Sequence, residues 1–95
     1  MPQSALYLAC YDVTEDKERG RVAGVLEGYG IRVQKSVFEC RLTRSARERL
    51  IREAESLELR SGFLSLYKLG SEARRLSVGA LPAEPFAEER HSFVV

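Results

Sequence analysis

Apolar residues along the chain fall into short runs and helical stripes, separated by charged and glycine-containing segments. Residues 6–11 are almost continuously apolar, which is typical of a central strand buried on both faces. The run ends at Asp12, and the acidic and hydroxyl residues after it predict a loop and a helix start. Residues 16–29 carry apolar side chains at spacings of three and four, which predict an amphipathic helix. Gly28 and Gly30 predict a left-handed cap at its end.

Residues 32–43 form the next extended stretch, in which polar and apolar positions are mixed. Because this stretch is long for a single strand, we expect a reversal near residues 34–36 that divides it in two. A second helix follows, with an apolar stripe on one side and charged residues on the other. Thr43 or Ser45 is its expected N-cap, and residues 45–48 fit a capping box, in which Ser and Glu side chains satisfy free backbone N–H groups.

The last third of the chain predicts one more core strand and a tail. Residues 63–69 are mostly apolar and lie between two glycines, as expected of a strand. Residues 71–85 contain two prolines and predict a loop with one helical turn at residues 72–76. Residues 91–95 predict a short terminal strand.

The order strand, helix, strand, strand, helix, strand is the split β-α-β arrangement of the ferredoxin-like fold. We therefore predict an α+β protein, a βαββαβ sandwich with an extra C-terminal strand, in which residues 1–70 form the core. We expect residues 71–95 to form a C-terminal loop and strand outside this core. Two helices cover one face of the antiparallel sheet, and nothing in the chain covers the other. Since an uncovered apolar sheet face is usually an interface, we expect a homodimer with the two sheets facing each other.

Composition sets limits on this picture. A length of 95 residues corresponds to one domain, and a hydrophobic fraction of 44% is ordinary for a globular protein. The net charge of +1 gives the whole protein no attraction to nucleic acid or membrane, so such binding depends on local patches. No apolar run approaches the roughly 20 residues of a membrane helix, and the N-terminus does not match a secretory signal. We expect a cytoplasmic protein without membrane contact.

Cysteine and histidine chemistry has little support in the sequence. Cys10 and Cys40 stand outside any C-x-x-C pair and His91 is the only histidine, so a zinc site is not expected. We expect two buried, reduced thiols, with a disulfide as the alternative. His91 is distant from Ser36, so a serine nucleophile with a histidine base is not expected either. The glycine motifs that bind nucleotide phosphates are absent from the sequence.

Asp12 is the strongest candidate for chemistry, because functional groups gather on loops at strand ends. The alternative is a structural role in a helix cap or a local turn. One carboxylate rarely makes a catalytic site, but a dimer axis near Asp12 would supply two. Such a pair would suit Mg²⁺, which is bound through one or two carboxylates and water, and a metal there would activate water for attack on a phosphodiester. Nearby cations would hold the anionic backbone, although they are also typical of a solvated helix face: Lys17, Arg19 and Arg21.

Several short motifs occur in a fixed order between residues 5 and 43. They are Tyr11-Asp12-Val13 at the strand end, a charged helix start ending in Arg19, then Tyr29-Gly30, Arg32-Val33-Gln34 and Ser36-Val37-Phe38-Glu39-Cys40. In this order and spacing they resemble the Cas-two family of small CRISPR-associated endonucleases, the CRISPR adaptation proteins. The similarity is close over residues 5–43 and continues as a general pattern to Leu69.

The resemblance implies a ferredoxin-like homodimer whose terminal strand pairs with the partner's sheet. It implies that Asp12 is the catalytic and metal-coordinating acid, one from each subunit, with Mg²⁺ or another divalent cation as cofactor. The implied activity is metal-dependent endonuclease cleavage of RNA or double-stranded DNA, and the implied partner is the Cas-one integrase, which the dimer bridges during spacer acquisition. The expected nucleic-acid-binding residues are Lys17, Arg19, Arg21 and Arg32, and the residues expected to shape the dimer and support the site are Tyr11, Ser36 and Phe38.

Two positions depart from the family pattern. The helix start commonly has two adjacent basic residues, whereas Glu18 precedes Arg19 in this chain. Before the last core strand the family often has an acidic and a basic residue, whereas this chain has Arg60-Ser61-Gly62-Phe63-Leu64-Ser65. Both changes bear on nuclease strength and on the grip on nucleic acid, and neither threatens the fold.

Three other functions are compatible with the sequence. A non-catalytic adaptor that bridges integrase subunits on DNA would use the basic surfaces without the acid. A toxin-type ribonuclease would share the same scaffold. A small-molecule sensor is a further alternative, because fold alone does not determine function.

Overall fold

The expected order of core elements is present in the computed structural model, which describes residues 3–80. The elements are β1 (Ser4–Val13), α1 (Asp16–Glu27), β2 (Gly30–Gln34), β3 (Val37–Thr43), α2 (Arg44–Ser56) and β4 (Gly62–Lys68). The terminal strand expected at residues 91–95 lies outside the described residues. Within residues 3–80, neither helix has the length and hydrophobicity that a membrane span requires.

The four strands form one antiparallel sheet in the order β2-β3-β1-β4, which is the ferredoxin-like arrangement. β1 is central because it pairs with β3 on one edge and with β4 on the other. The expected reversal lies at residues 35–36 and is confirmed, since β2 ends at Gln34 and β3 begins at Val37. The predicted α+β class is therefore confirmed.

The two faces of the sheet differ in what covers them. Side chains alternate along β1, so four of them are buried on what we call the covered face, beneath the helices: Tyr7, Ala9, Tyr11 and Val13. Four others point to the opposite side, which we call the open face: Leu6, Leu8, Cys10 and Asp12. The expectation that residues 6–11 are buried on both faces is wrong, because Leu6, Leu8 and Cys10 are only half-buried.

The core lies between the covered face and the two helices. Its largest fully buried side chains come from three elements: Val22 and Leu26 from α1, Leu50 from α2, and Phe38 and Cys40 from β3. Phe38 also packs against Tyr11, with ring centroids 6.4 Å apart. This packing fixes the position of β1 from the covered side.

The sequence predicts that no part of the chain covers the open face, and the structure corrects this prediction for one half of it. Leu6, Leu8 and Val37 on this face line a cavity of about 310 Å³ together with Leu69 and Leu76. Residues 69–76 therefore screen the half of the face near β3. Within residues 3–80 nothing covers the half near β4, where Phe63 is 61% exposed and Tyr67 is 57% exposed.

The helix ends correct two expectations. Gly28 adopts right-handed helical backbone angles, so α1 does not end in a left-handed cap. Gly30 is needed for a different reason, since a Cβ atom there would lie 2.1 Å from the backbone oxygen of Glu39 on β3. Thr43 caps α2 by accepting a hydrogen bond from the Ala46 N–H at 3.1 Å. The capping box at residues 45–48 is wrong, because Glu48 pairs with Arg44 instead.

Candidate functional site

Asp12 is the penultimate residue of β1, and its side chain lies on the uncovered half of the open face. Its cross-strand neighbour on β4 is Phe63, one of the exposed aromatic residues. Within residues 3–80 the Asp12 carboxylate makes no hydrogen bond or ion pair. An exposed acid without an internal partner, set beside apolar surface, does not act as a helix cap and is available to an external ligand.

The backbone just before Asp12 is held in place by hydrogen bonds of Tyr11. The Tyr11 N–H donates to the Ser36 backbone oxygen at 3.0 Å, and the Tyr11 hydroxyl donates to the Lys35 backbone oxygen at 3.2 Å. These bonds join β1 to the turn between β2 and β3. Phe38 has no exposed surface, so it can support the site or a subunit interface only from within the core.

A second set of contacts joins the loop after β1 to the residues before β4. The Glu18 carboxylate, on α1, accepts hydrogen bonds from the Arg60 N–H and the Ser61 N–H, both at 2.9 Å, and from the Ser61 hydroxyl at 2.6 Å. The Ser61 hydroxyl in turn accepts from the Glu15 N–H at 3.0 Å. The Ser61 backbone oxygen accepts from the Thr14 N–H at 3.1 Å and from the Thr14 hydroxyl at 3.2 Å. We call this set of five residues the clasp.

The clasp holds a charged group inside the protein. Glu18 is only 5% exposed, yet its side chain remains anionic because three donors converge on it. The Ser61 hydroxyl, followed by the backbone N–H groups of Ser61 and Arg60, holds the pKa of the Glu18 carboxyl below its ordinary value. Glu18 is thus a structural anchor and not part of a solvated helix face.

Gly62 completes the connection between the clasp and Asp12. A Cβ atom at Gly62 would lie 1.8 Å from the Asp12 backbone oxygen and 2.6 Å from the Val13 Cα. Only glycine lets β4 begin this close to the end of β1. Sequence reasoning did not select Glu18, Ser61 or Gly62 as site residues. The signal available in the sequence was that the chain departs from the family pattern at Glu18 and again before β4, and the structure places these two departures in contact.

The basic residues expected to bind nucleic acid fall into two groups. Lys17 and Arg21 are exposed on α1 and line a shallow surface depression with Glu15 and Gly20. Arg19 is engaged internally: its guanidinium donates to the Val13 and Thr14 backbone oxygens at 3.2 and 2.7 Å, and it pairs with Asp16.

Arg32 is also engaged internally. Its guanidinium carbon lies 5.2 Å from the centroid of the Phe38 ring, and its Nη2 donates to the Tyr11 hydroxyl at 3.1 Å. Both partners belong to the covered face, so Arg32 and Asp12 lie on opposite sides of the sheet. The sheet therefore brings Asp12 together with Phe63, and separates it from Arg32.

The remaining acids and thiols do not extend the site. Within residues 3–80, no three His, Cys, Asp or Glu side chains come together as a metal-binding group. Cys10 and Cys40 are free and lie on opposite faces of the sheet, which excludes the alternative of a disulfide within one chain. Burial raises the pKa of Cys10, and burial followed by the nearby Glu39 raises the pKa of Cys40 to about 11.

The chain is similar to known proteins in both sequence and structure. The family model described as "CRISPR associated protein Cas2" matches residues 5–75. The "CRISPR-associated endonuclease Cas2 2" of Thermus thermophilus is 41% identical over 78 residues, covering 81% of this chain and 87% of that protein. The "CRISPR-associated endoribonuclease Cas2 4" of Rhodospirillum rubrum is 38% identical over 85 residues, covering 86% of this chain and 68% of that protein.

Two solved structures share the fold. A hypothetical protein from Thermus thermophilus superposes with a TM-score of 0.72 at 40% identity, covering 83% of this chain and 98% of the other. Streptococcus pyogenes Cas2, in a crystal structure at pH 6.5, superposes with a TM-score of 0.62 at 28% identity, covering 70% and 88%. Together with the match over residues 5–75, these similarities show that the chain belongs to the Cas2 family of CRISPR-associated proteins.

Proposed function

We propose that this protein is a metal-dependent endonuclease of CRISPR adaptation that acts as a homodimer, with one Asp12 from each subunit at the site. The observation that carries the proposal is the placement of Asp12, an acid that has no partner among residues 3–80, on the uncovered half of the open face. Its relatives bear the names endonuclease and endoribonuclease. RNA and double-stranded DNA are both candidate substrates, and the experiment below distinguishes them.

A second copy of the chain is the partner that this surface favours. Phe63 and Tyr67 project from the same side of β4 and remain more than half exposed, next to half-buried apolar residues of β1. Burying this surface against an identical one removes apolar area from water and closes the assembly by a two-fold axis. The same contact brings a second Asp12 toward the first, because each lies beside Phe63.

The residues at the site suit a hard divalent cation. Mg²⁺ prefers oxygen ligands and is held by one or two carboxylates, with water completing its coordination. Asp12 supplies one exposed carboxylate per chain, so two subunits would supply the pair. A bound Mg²⁺ would polarise a phosphoryl oxygen and lower the pKa of a coordinated water. The protein's own contribution is to hold the Asp12 backbone still through Tyr11 and the clasp.

The phosphate backbone would be held by exposed cations. Lys17 and Arg21 are free to contact phosphates, because neither makes a hydrogen bond or ion pair within residues 3–80. Arg19 has a partly exposed guanidinium, but its hydrogen bonds to the Val13 and Thr14 backbone oxygens give it a structural role. We therefore assign phosphate contact to Lys17 and Arg21 before Arg19 and Arg32.

Cleavage assays test the nuclease directly. Purified protein is incubated with single-stranded RNA and with duplex DNA, with Mg²⁺ or with chelator, over a range of pH. Asp12→Asn removes a charged ligand while keeping the shape of the side chain, and we expect it to lower the cleavage rate about 100-fold or more. Glu27→Gln, at an exposed acid at the far end of α1, is the matched control and should leave the rate unchanged.

The oligomeric state and fold of both variants are measured alongside, by light scattering and circular dichroism. Cleavage that survives in folded Asp12→Asn protein, or that persists in chelator, would contradict the proposal. The nucleic acid that the parent protein cuts and the Asp12→Asn variant does not cut, RNA or duplex DNA, is the substrate of this site.

A second candidate is a non-catalytic adaptor that bridges Cas-one integrase subunits on DNA. The observation that favours it is that, within residues 3–80, Asp12 belongs to no metal-binding group of three His, Cys, Asp or Glu side chains. Spacer acquisition in cells is the assay. The adaptor role predicts that Asp12→Asn supports acquisition, whereas charge reversal at Lys17 and Arg21 abolishes it. Charge reversal at Arg19 is a poor test, because it also removes the hydrogen bonds to Val13 and Thr14.

A further inference from the structure

The clasp connects a buried acid on the covered side to a functional acid on the open side. Glu18 lies beneath the helix layer, where it does not touch Asp12. Its carboxylate fixes the backbone of Arg60 and Ser61 through three hydrogen bonds. Those residues lead directly into Gly62, which is pressed against the Asp12 backbone oxygen.

Ser61 fixes the other side of the same short segment. Its hydroxyl accepts from the Glu15 N–H and its backbone oxygen accepts from the Thr14 N–H and hydroxyl. The chain from Asp12 to Glu15 is therefore held at its end by a single serine. Since the serine hydroxyl donates to Glu18 while accepting from Glu15, the acid and the loop are joined through one atom.

We infer that Glu18 and Ser61 are positioning residues for Asp12, acting through the backbone of the β1 end and without contacting the substrate. The inference rests on the proposed function, in which Asp12 is the site acid. Supporting groups that orient a metal-binding side chain commonly change metal affinity or activity by about 10- to 100-fold when they are removed. A misplacement of about 1 Å at a reacting centre has an effect of similar size.

Four variants test the inference. Ser61→Ala removes the hydroxyl that joins Glu18 to Glu15, and Ser61→Thr restores a hydroxyl at the same position. Glu18→Gln keeps the side-chain length and removes the charge. Thr43→Ala is the matched control: it removes the cap of α2, and Thr43 pairs with Ser4, at the opposite end of β1 from Asp12.

Two readouts are measured for each folded variant. The first is cleavage as a function of Mg²⁺ concentration. We expect Ser61→Ala and Glu18→Gln to raise the concentration for half-maximal activity, or to lower the maximal rate, by about tenfold. Ser61→Thr should recover much of this loss, and Thr43→Ala should match the parent protein. Equal kinetics for Ser61→Ala and Thr43→Ala would overturn the inference.

The second readout does not depend on activity. Amide hydrogen exchange of residues 11–13 is followed, because their hydrogen bonds do not involve the Ser61 hydroxyl. The inference predicts faster exchange there in Ser61→Ala and no change in Thr43→Ala, and equal exchange in both overturns it. If the parent protein cleaves neither RNA nor DNA, the proposed function fails, while this measurement still decides whether the clasp fixes the Asp12 backbone.

Discussion

The two faces of the sheet are formed by the same strands, because the side chains of successive residues point to opposite faces. On the covered face, Tyr11 and Phe38 pack against the helices with almost no exposed surface. On the open face, Asp12 and Phe63 are cross-strand neighbours, and both are exposed. Neighbouring residues of one strand thus have different surroundings, since Tyr11 is buried and hydrogen-bonded to the Lys35 backbone oxygen, whereas Asp12 is exposed.

This difference explains why the site is supported from a distance. Asp12, on the uncovered half of the open face, makes no hydrogen bond or ion pair within residues 3–80, so its position depends on what fixes the backbone of β1. Tyr11 supplies that support on the β3 side, and the clasp supplies it on the β4 side. The covered face therefore determines the geometry of a site that it does not contact.

The largest expected effect separates two phenylalanines, one on each face. Phe38→Ala removes a fully buried ring and should lower the free energy of unfolding by about 3–5 kcal/mol. Phe63→Ala removes a ring that is 61% exposed, so the subunit should keep its fold while dimerisation weakens. Urea unfolding and light scattering at several protein concentrations measure the two effects. A Phe63→Ala protein that remains dimeric at low concentration would contradict the role given to the open face.

The hydrogen bonds between Glu18 and Ser61 predict a strong coupling between the two residues in stability. Glu18→Arg places a cation against two backbone N–H donors, and we expect the thermal midpoint to fall by about 10 °C. Ser61→Asp alone places a second carboxylate beside Glu18 and should also destabilise the protein. The double variant pairs the two new charges, and an aspartate can still accept from the Glu15 N–H. It should be more stable than either single variant, and simple additivity of the two losses would contradict the contact.

The two cysteines provide a smaller, chemical test of the two faces. Cys40 is fully buried on the covered face with a pKa of about 11, whereas Cys10 is half-buried on the open face. We expect iodoacetamide to modify Cys10 at least about tenfold faster than Cys40 in folded Phe63→Ala protein, in which a second subunit no longer covers the open face, because Cys10 is accessible and the high pKa of Cys40 leaves it little thiolate. Mass spectrometry locates the label, and denatured protein, in which both should react alike, is the control. Equal labelling in the folded state would contradict the assignment of faces.

The smallest expected effect is the response of the clasp to acid. Because the folded-state pKa of Glu18 is lowered, its stabilisation is complete above the unfolded value of 4.5 and is lost as the pH falls through the folded pKa. The parent protein should lose more stability than Glu18→Gln when the pH is lowered from about 5 to about 3. Urea titrations at each pH measure the difference. Parallel curves for the two proteins would contradict an ionised, hydrogen-bonded Glu18.

Most of the fold followed from local sequence patterns. The period of the apolar residues identified both helices and all four core strands, and the reversal between β2 and β3 was placed correctly. Two errors concerned helix ends, where the same sequence pattern allows more than one local structure. Thr43 caps α2 in place of the expected capping box at residues 45–48, and Gly28 adopts right-handed backbone angles. Of the candidate site, Asp12 was placed correctly at the end of the central strand, with Tyr11 beside it.

The rest of the site depended on contacts between distant parts of the chain. Arg19 and Arg32 carry the right charge for phosphate, but the structure uses their donors for backbone oxygens and the Tyr11 hydroxyl. Glu18 and Ser61 are 43 residues apart, so no local pattern links them. The position of Asp12, in contrast, follows from local sequence alone, because alternation along β1 places it on the opposite face of the sheet from Tyr11.

The sequence by itself determined the order of elements, the alternation along β1 and therefore the residue that reaches the open face. These properties depend on backbone periods of about 2 and 3.6 residues, which are written into the spacing of apolar side chains. Only the tertiary structure decided which half of that face stays uncovered, and that a buried acid on α1 fastens the end of β1 through Ser61. Those outcomes depend on hydrogen bonds and packing between segments that meet only in the folded chain.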